Sequence, residues 1–200
     1  MPLQQRLCSN SCLLDNLIIV ARDYDSAIRT KCLEIICNLT RFPANTSFMT
    51  RYLNLVDTLV TAADSGIHED RIAALRSLQN LSADSSSKTL LASEIVLNSM
   101  TSCALRDDPQ EKEAAVALLY NVSTEPGAVV AITNTKNVVA TFVHLAHHPE
   151  SASSIRLMAC DALATISLWL QTLAGTGKVP KDVANMPLPS QKTTGWERWE

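Results

Sequence analysis

His144, His147 and His148 have the i, i+3, i+4 spacing that would put three imidazoles on one face of a helix, and such a set could bind a metal such as zinc. Pro149 follows at once, and no Cys-rich or carboxylate-rich ligand set accompanies the histidines. A helix should end there, where cationic side chains are favoured by the helix dipole. These histidines therefore read as a helix-end feature, and no metal or other cofactor is expected. The six cysteines, Cys8, Cys12, Cys32, Cys37, Cys103 and Cys160, contain no Cys-x-x-Cys pair, which argues against a zinc or redox motif. Gly175-Thr-Gly-Lys178 resembles part of a phosphate loop. However, Thr172 stands where the first glycine is required, and Val179 replaces the magnesium-binding hydroxyl. Gly-x-Ser-x-Gly and His-Glu-x-x-His are both absent, so a non-catalytic protein is expected. Asn38-Leu-Thr, Asn45-Thr-Ser, Asn80-Leu-Ser and Asn121-Val-Ser match the N-glycosylation pattern. Three of them belong to a helical repeat described below, and the N-terminal Met-Pro-Leu-Gln-Gln-Arg lacks the features of a secretory signal. Glycosylation is therefore not expected.

Composition narrows the class further. Apolar residues make up 46% of the chain and charged residues 18%, with a net charge of −3. A disordered chain would be more polar and more highly charged. A nucleic-acid binder would need a basic patch to neutralise phosphates. No run approaches the roughly 18 consecutive apolar residues of a membrane span; the best stretch, 13–21, is short and contains Asp15 and Asn16. The expectation is a folded chain with reduced thiols in the cytoplasm or nucleus, with neither nucleic acid nor membrane as a partner. Five glycines and eight prolines are too few for the many turns of a sheet-rich fold.

The elements that would position any functional residue come from internal repetition. Lys31–Thr40, Ala73–Ser82, Ala114–Ser123 and Met158–Ser167 align with one another. Their apolar positions fall at i, i+4, i+7: Cys32, Ile36, Leu39; Ala74, Leu78, Leu81; Ala115, Leu119, Val122; Ala159, Leu163, Ile166. That spacing is one face of a helix, and its small first member would let a neighbouring helix approach closely. A second set precedes these segments, in columns Leu13, Leu55, Val96, Val139; Leu17, Leu59, Met100, Val143; and Val20, Ala62, Cys103, Ala146. A shorter element lies between each of the first three repeated segments and the next member of the second set, marked by Met49, Leu91 and Ile132 and introduced by Pro43, Asp84 and Pro126. Each unit is thus a short helix followed by two longer ones, with a period of about 42 residues. Such a unit cannot bury its apolar face alone and must stack on its neighbours.

In its period, its three-helix order and its segment Ala-x-x-x-Leu-x-Asn-Leu-Ser, the stretch 11–172 resembles the armadillo repeat. The resemblance implies an all-α, right-handed α-solenoid, with a partial repeat at 11–42 and repeats at 43–82, 83–123 and 124–172. It also implies that the third helices line a concave groove in which Asn38, Asn80 and Asn121 hold an extended peptide by its backbone. An amide side chain suits that task because it offers both a donor and an acceptor. Residues four earlier, Glu34, Arg76 and Ala117, would flank the asparagines. Importin-α-type members carry Trp at that position to sandwich lysines, and none of the units here does. The chain departs from the family in lacking its usual glycine near Tyr52, Ser93 and Asn137, and in having Thr165 for the fourth asparagine. A purely structural role also fits the asparagines, each bonding a neighbouring helix or loop.

The expected function is a protein-interaction module or scaffold that binds extended segments of other proteins through Glu34, Asn38, Arg76, Asn80, Ala117 and Asn121. The alternative is a structural subunit that self-associates or joins a larger complex through its uncapped apolar N-terminal end. Residues 1–10 would serve as an N-terminal cap. A flexible tail over 173–200 carries Trp196 and Trp199, either packed as a cap on the last helix or as anchors on another surface.

Overall fold

A computed structural model describes residues 11–22, 26–52 and 54–175. The expected cap over 1–10 and the tail from 176 onward, with Trp196 and Trp199, lie outside the described residues. The chain is all-α, and no strand occurs among the described residues. The helices are α1 (Ser11–Arg22), α2 (Ser26–Thr40), α3 (Pro43–Thr50), α4 (Leu55–Ala63), α5 (His68–Ser82) and α6 (Ser85–Leu91). They continue with α7 (Glu94–Ala104), α8 (Pro109–Ser123), a 3-10 turn (Pro126–Ala128) leading into α9 (Val129–Asn134), α10 (Val138–His147) and α11 (Ser153–Gly175).

The helices pack in three columns. Helices α2, α5, α8 and α11 stack one on the next; α1, α4, α7 and α10 form a second column; α3, α6 and the 3-10 turn before α9 form a third. Local chemistry explains where the helices start. Pro43 and Pro109 occupy first-turn positions, where the missing N–H has no intrahelical partner to lose. The Asp108 carboxylate accepts from the N–H groups of Gln110 and Glu111, both at 2.9 Å, and these bonds hold its carboxyl below the ordinary range. Asn54 and Asn137, just ahead of α4 and α10, adopt left-handed backbone with φ of 63° and 70°. Outside glycine, asparagine is among the few residues that tolerate this conformation.

In the third-helix column the apolar register agrees with the sequence pattern. Cys32, Ala74, Ala115 and Ala159 are buried, as are Leu39, Leu81, Val122 and Ile166. In the second-helix column the sequence register is one residue out in α10 and partly so in α1. Leu14, Leu17, Ile18 and Ala21 form the core of α1, with Leu17 in its expected place, and Val138, Phe142 and Leu145 that of α10, whereas Leu13, Val20, Val139 and Ala146 are only partly buried and Val143 is exposed. These helices contain adjacent apolar residues, so a 4,3 spacing fits two neighbouring registers equally well.

Two polar rungs tie the third helices together. The first lies at their N-terminal ends. The Arg29 guanidinium reaches the fully buried Asp70 carboxylate of the next unit at 2.6 Å, and Thr30 donates to the same group. One unit further on, Arg71 reaches the fully buried Glu111 at 2.7 Å, and Arg106 joins from the preceding turn at 3.0 Å. Asp70 and Glu111 both sit in the first turn of their helices, where a negative charge also opposes the positive end of the helix dipole. The corresponding position of α11 is Ile155, which is buried, so the rung ends there. Burial would raise the Glu111 carboxyl, but hydrogen bonds from Arg71 and Arg106 outweigh it and hold the group below its ordinary value.

The lowered value fixes the direction of the pH dependence. The stabilisation from Glu111 is complete above the unfolded carboxylate range and is lost as pH falls through the folded value. Glu111→Gln is expected to destabilise by about 3 kcal/mol, the low end for breaking a buried pair, because both guanidiniums keep some contact with water. Urea titrations at neutral pH and across the acid range check both points: the variant is weaker at neutral pH, and the difference shrinks on acidification.

Candidate functional site

The third helices of the first two units, α2 and α5, flank a groove of about 600 Å³. Helix periodicity places Glu34 and Asn38 on its α2 wall, and Glu69, Arg76 and Asn80 on its α5 wall. Four of the six residues expected from sequence thus come together: Glu34, Asn38, Arg76 and Asn80. Ala117 and Asn121 do not line the groove; Ala117 is buried and Asn121 half-buried. Sequence reasoning missed Glu69, which lies one turn before Ala73 and two turns before Arg76 on the same face. It also missed Arg41, just past the end of α2, and Gln110, which reaches in from α8.

The polar wall is held only lightly. Arg76 donates to the Gln110 side-chain oxygen at 2.7 Å, and Lys31 pairs with Glu34 at 2.8 Å, with all four residues exposed or nearly so. Exposed pairs of this kind contribute little to stability and exchange readily for a ligand. Arg41 makes no ion pair among the described residues. The Cys37 thiol also faces the groove, but burial raises its pKa, so it is a poor nucleophile.

The asparagines form the second rung, at the C-terminal ends of the third helices. Asn80 Nδ2 donates to Thr40 Oγ1 of the preceding unit at 3.1 Å, and Asn121 Nδ2 donates to Ser82 Oγ at 2.9 Å. Each receiving hydroxyl donates in turn to a carbonyl one turn back in its own helix: Thr40 to Cys37 at 2.8 Å and Ser82 to Gln79 at 2.6 Å. The Asn-x-Ser/Thr tripeptide is therefore two halves of a latch between units. The Asn reaches back and the hydroxyl receives the next Asn. In the fourth unit Thr165 turns its hydroxyl onto the Asp161 carbonyl at 2.8 Å, and the second rung ends beside the first. Asn38, with no preceding unit among the described residues, is exposed and has no such partner there.

Other clusters do not add chemistry. His68, Asp108 and Glu111 bring their ligand atoms within 4.8 Å of one another. Arg71 and Arg106 already occupy Glu111 at 2.7 and 3.0 Å, and two guanidiniums would repel a cation from the site. His144 and His147 lie in the last turn of α10, and the His144 and His148 rings meet at 5.1 Å.

No family model and no curated protein matches this chain. Among solved structures it is similar to the crystal structure of an engineered protein, with a TM-score of 0.66 and 18% identity over 94% of this chain and 82% of that one. At that identity the likeness speaks to the helical fold alone.

The latch predicts an asymmetry among the three asparagines. Asn80→Ala and Asn121→Ala are each expected to lower stability by about 1 kcal/mol, the net value of one hydrogen bond. Asn38→Ala should leave it unchanged. Chemical denaturation of the three single variants checks this, and equal losses at all three positions would contradict it.

Proposed function

We propose that this chain is a short, right-handed solenoid of armadillo type, acting as a non-catalytic interaction module. In this reading it holds an extended segment of another protein in the groove between α2 and α5. Support for the family comes from the three-helix order and the third-helix asparagines. Asn54 and Asn137 add to it, since they take left-handed backbone at two of the turns where the family usually has glycine.

The observation that carries the binding role is the exposed Asn38 amide on the groove wall, opposite Asn80. A peptide without secondary structure presents unpaired N–H and C=O groups, and each is costly to desolvate unless it is paired. Asn38 offers both a donor and an acceptor. Asn80 gives one donor to Thr40 and keeps its carbonyl oxygen and second N–H for a ligand. Each wall carries one acid and one base, Glu34 with Arg41 and Glu69 with Arg76, which favours a segment of mixed charge over a strongly basic or acidic one. The groove has no tryptophan to stack a lysine stem, which sets it apart from importin-α-type binding of basic segments. Ala117 and Asn121 would extend the contact only weakly. The reading places the protein in the cytoplasm or nucleus, with proteins as its partners.

Fluorescence anisotropy with a panel of unstructured labelled peptides tests the role. A mixed-charge peptide is expected to bind in the micromolar range, and Asn38→Ala to weaken it roughly tenfold, the equivalent of about 1.4 kcal/mol. Because Asn38→Ala leaves stability intact, that loss cannot come from unfolding. Unchanged affinity in Asn38→Ala and Arg76→Ala would overturn the proposal.

A further inference from the structure

The third-helix column is the same interface used three times, and burial along it distinguishes a forward-facing from a backward-facing side. One position is buried in the first three units as Leu33, Leu75 and Val116, yet exposed in the last as Cys160. It faces forward, toward a following unit. Two positions show the reverse. Asp70, Glu111 and Ile155 are buried, but their first-unit counterpart Ile28 is 54% exposed; Ser77, Leu118 and Ala162 are buried, but Ile35 is 45% exposed. These face backward. The two end faces are therefore halves of one interface that the chain already makes with itself.

The polar features match as well. Asn38 on the backward face lacks the hydroxyl that Asn80 and Asn121 find in Thr40 and Ser82. Ser167 on the forward face aligns in the repeat with Thr40 and Ser82, which close their helices, whereas α11 runs on past it to Gly175; no following asparagine reaches Ser167 among the described residues. Charge across the same junction is mixed. Glu34 of one unit lines the groove with Ala73 and Arg76 of the next. On the open ends these positions are Asp161, at the forward end, and Lys31 and Glu34, at the backward end; Lys31 is opposite in sign to Asp161 and is shared with Glu34 at 2.8 Å. The N-terminal rung is missing, because Arg156 would meet Ile28 instead of a carboxylate, so such a junction is weaker than the internal ones.

We propose that a second copy of this chain is the occupant: α11 of one copy docks on α2 of the next, head to tail, repeating the internal interface with Asn38 on Ser167 and Lys31 beside Asp161. Such a contact is heterologous and does not close on a pair, so it propagates into open chains of copies.

Sedimentation velocity of the full chain over a micromolar to several hundred micromolar series tests it. Wild type should grow beyond a dimer as concentration rises. Ile35→Asp, which blocks only the backward face, and Cys160→Asp, which blocks only the forward face, should each stay monomeric. Mixed one to one, they should form a dimer and nothing larger, because one free forward face meets one free backward face. Circular dichroism confirms that both variants keep their helices. Neither residue lines the groove between α2 and α5, so peptide binding by the two variants separates this outcome from that of the proposed function. A wild type that is monomeric at every concentration overturns the proposal. A wild-type dimer that stops there, with no dimer in the mixture, would mean a symmetric contact and overturns it too.

Discussion

Each third helix in this chain packs against the next as well as against the second helix of its own unit, and the contact between successive members of that column sets how the units stack. Small residues at its start, Ala74, Ala115 and Ala159, let the backbones approach. Apolar contact of this kind is non-directional and scales with area, so it draws the helices together without fixing how far one slides along the other. The two polar rungs do that. Arg29 on Asp70 and Arg71 on Glu111 pin the N-terminal ends, while Asn80 on Thr40 and Asn121 on Ser82 pin the C-terminal ends. A slip by one residue would break both rungs at once and leave buried carboxylates without their guanidiniums, a far larger cost than any loss of apolar area.

That division of labour explains what was legible in the sequence. The third-helix column was legible because the same small-then-large spacing recurs in four aligned segments, each marked by its own asparagine or threonine. The second-helix column was legible as helix but not in register: in Leu13-Leu14 and Val138-Val139 two neighbouring positions are equally apolar, and no rung residue marks which one turns inward. The rungs themselves were hidden by distance. Asp70 and Glu111 look like ordinary first-turn acids, and the hydroxyl two residues after each asparagine looks like part of a glycosylation pattern, until a partner some forty residues away is placed beside it.

The groove was legible in part for a related reason. Glu34, Asn38, Arg76 and Asn80 follow from repetition, because a repeated helix face must stay on one side of the stack. Arg41 and Gln110 do not follow, because one comes from a helix end and the other from a neighbouring unit, and only the offset between units brings them to the wall. Ala117 was the misleading case. Repetition put it in line with Glu34 and Arg76, yet it is buried and has no side chain with which to select a ligand.

Both the latch and the groove draw on the same amide, and this makes the first unit different from the rest. Asn80 and Asn121 are committed on one side to the unit behind them, so their freedom to meet a ligand is reduced in proportion to their structural role. Asn38 carries no such commitment, and for that reason it is the most available amide in the groove and also the open half of a latch. A copy docked behind α2 would take one of its donors, as Thr40 takes one from Asn80, and would leave its carbonyl oxygen and second N–H in place. Asn80 already shows that a latched asparagine can still line the groove. Assembly and peptide capture are thus compatible at the level of this side chain. A stack of copies would add, at each junction, a further groove walled by Asp161 and Lys31, so that the surface available to an extended ligand would lengthen with the assembly.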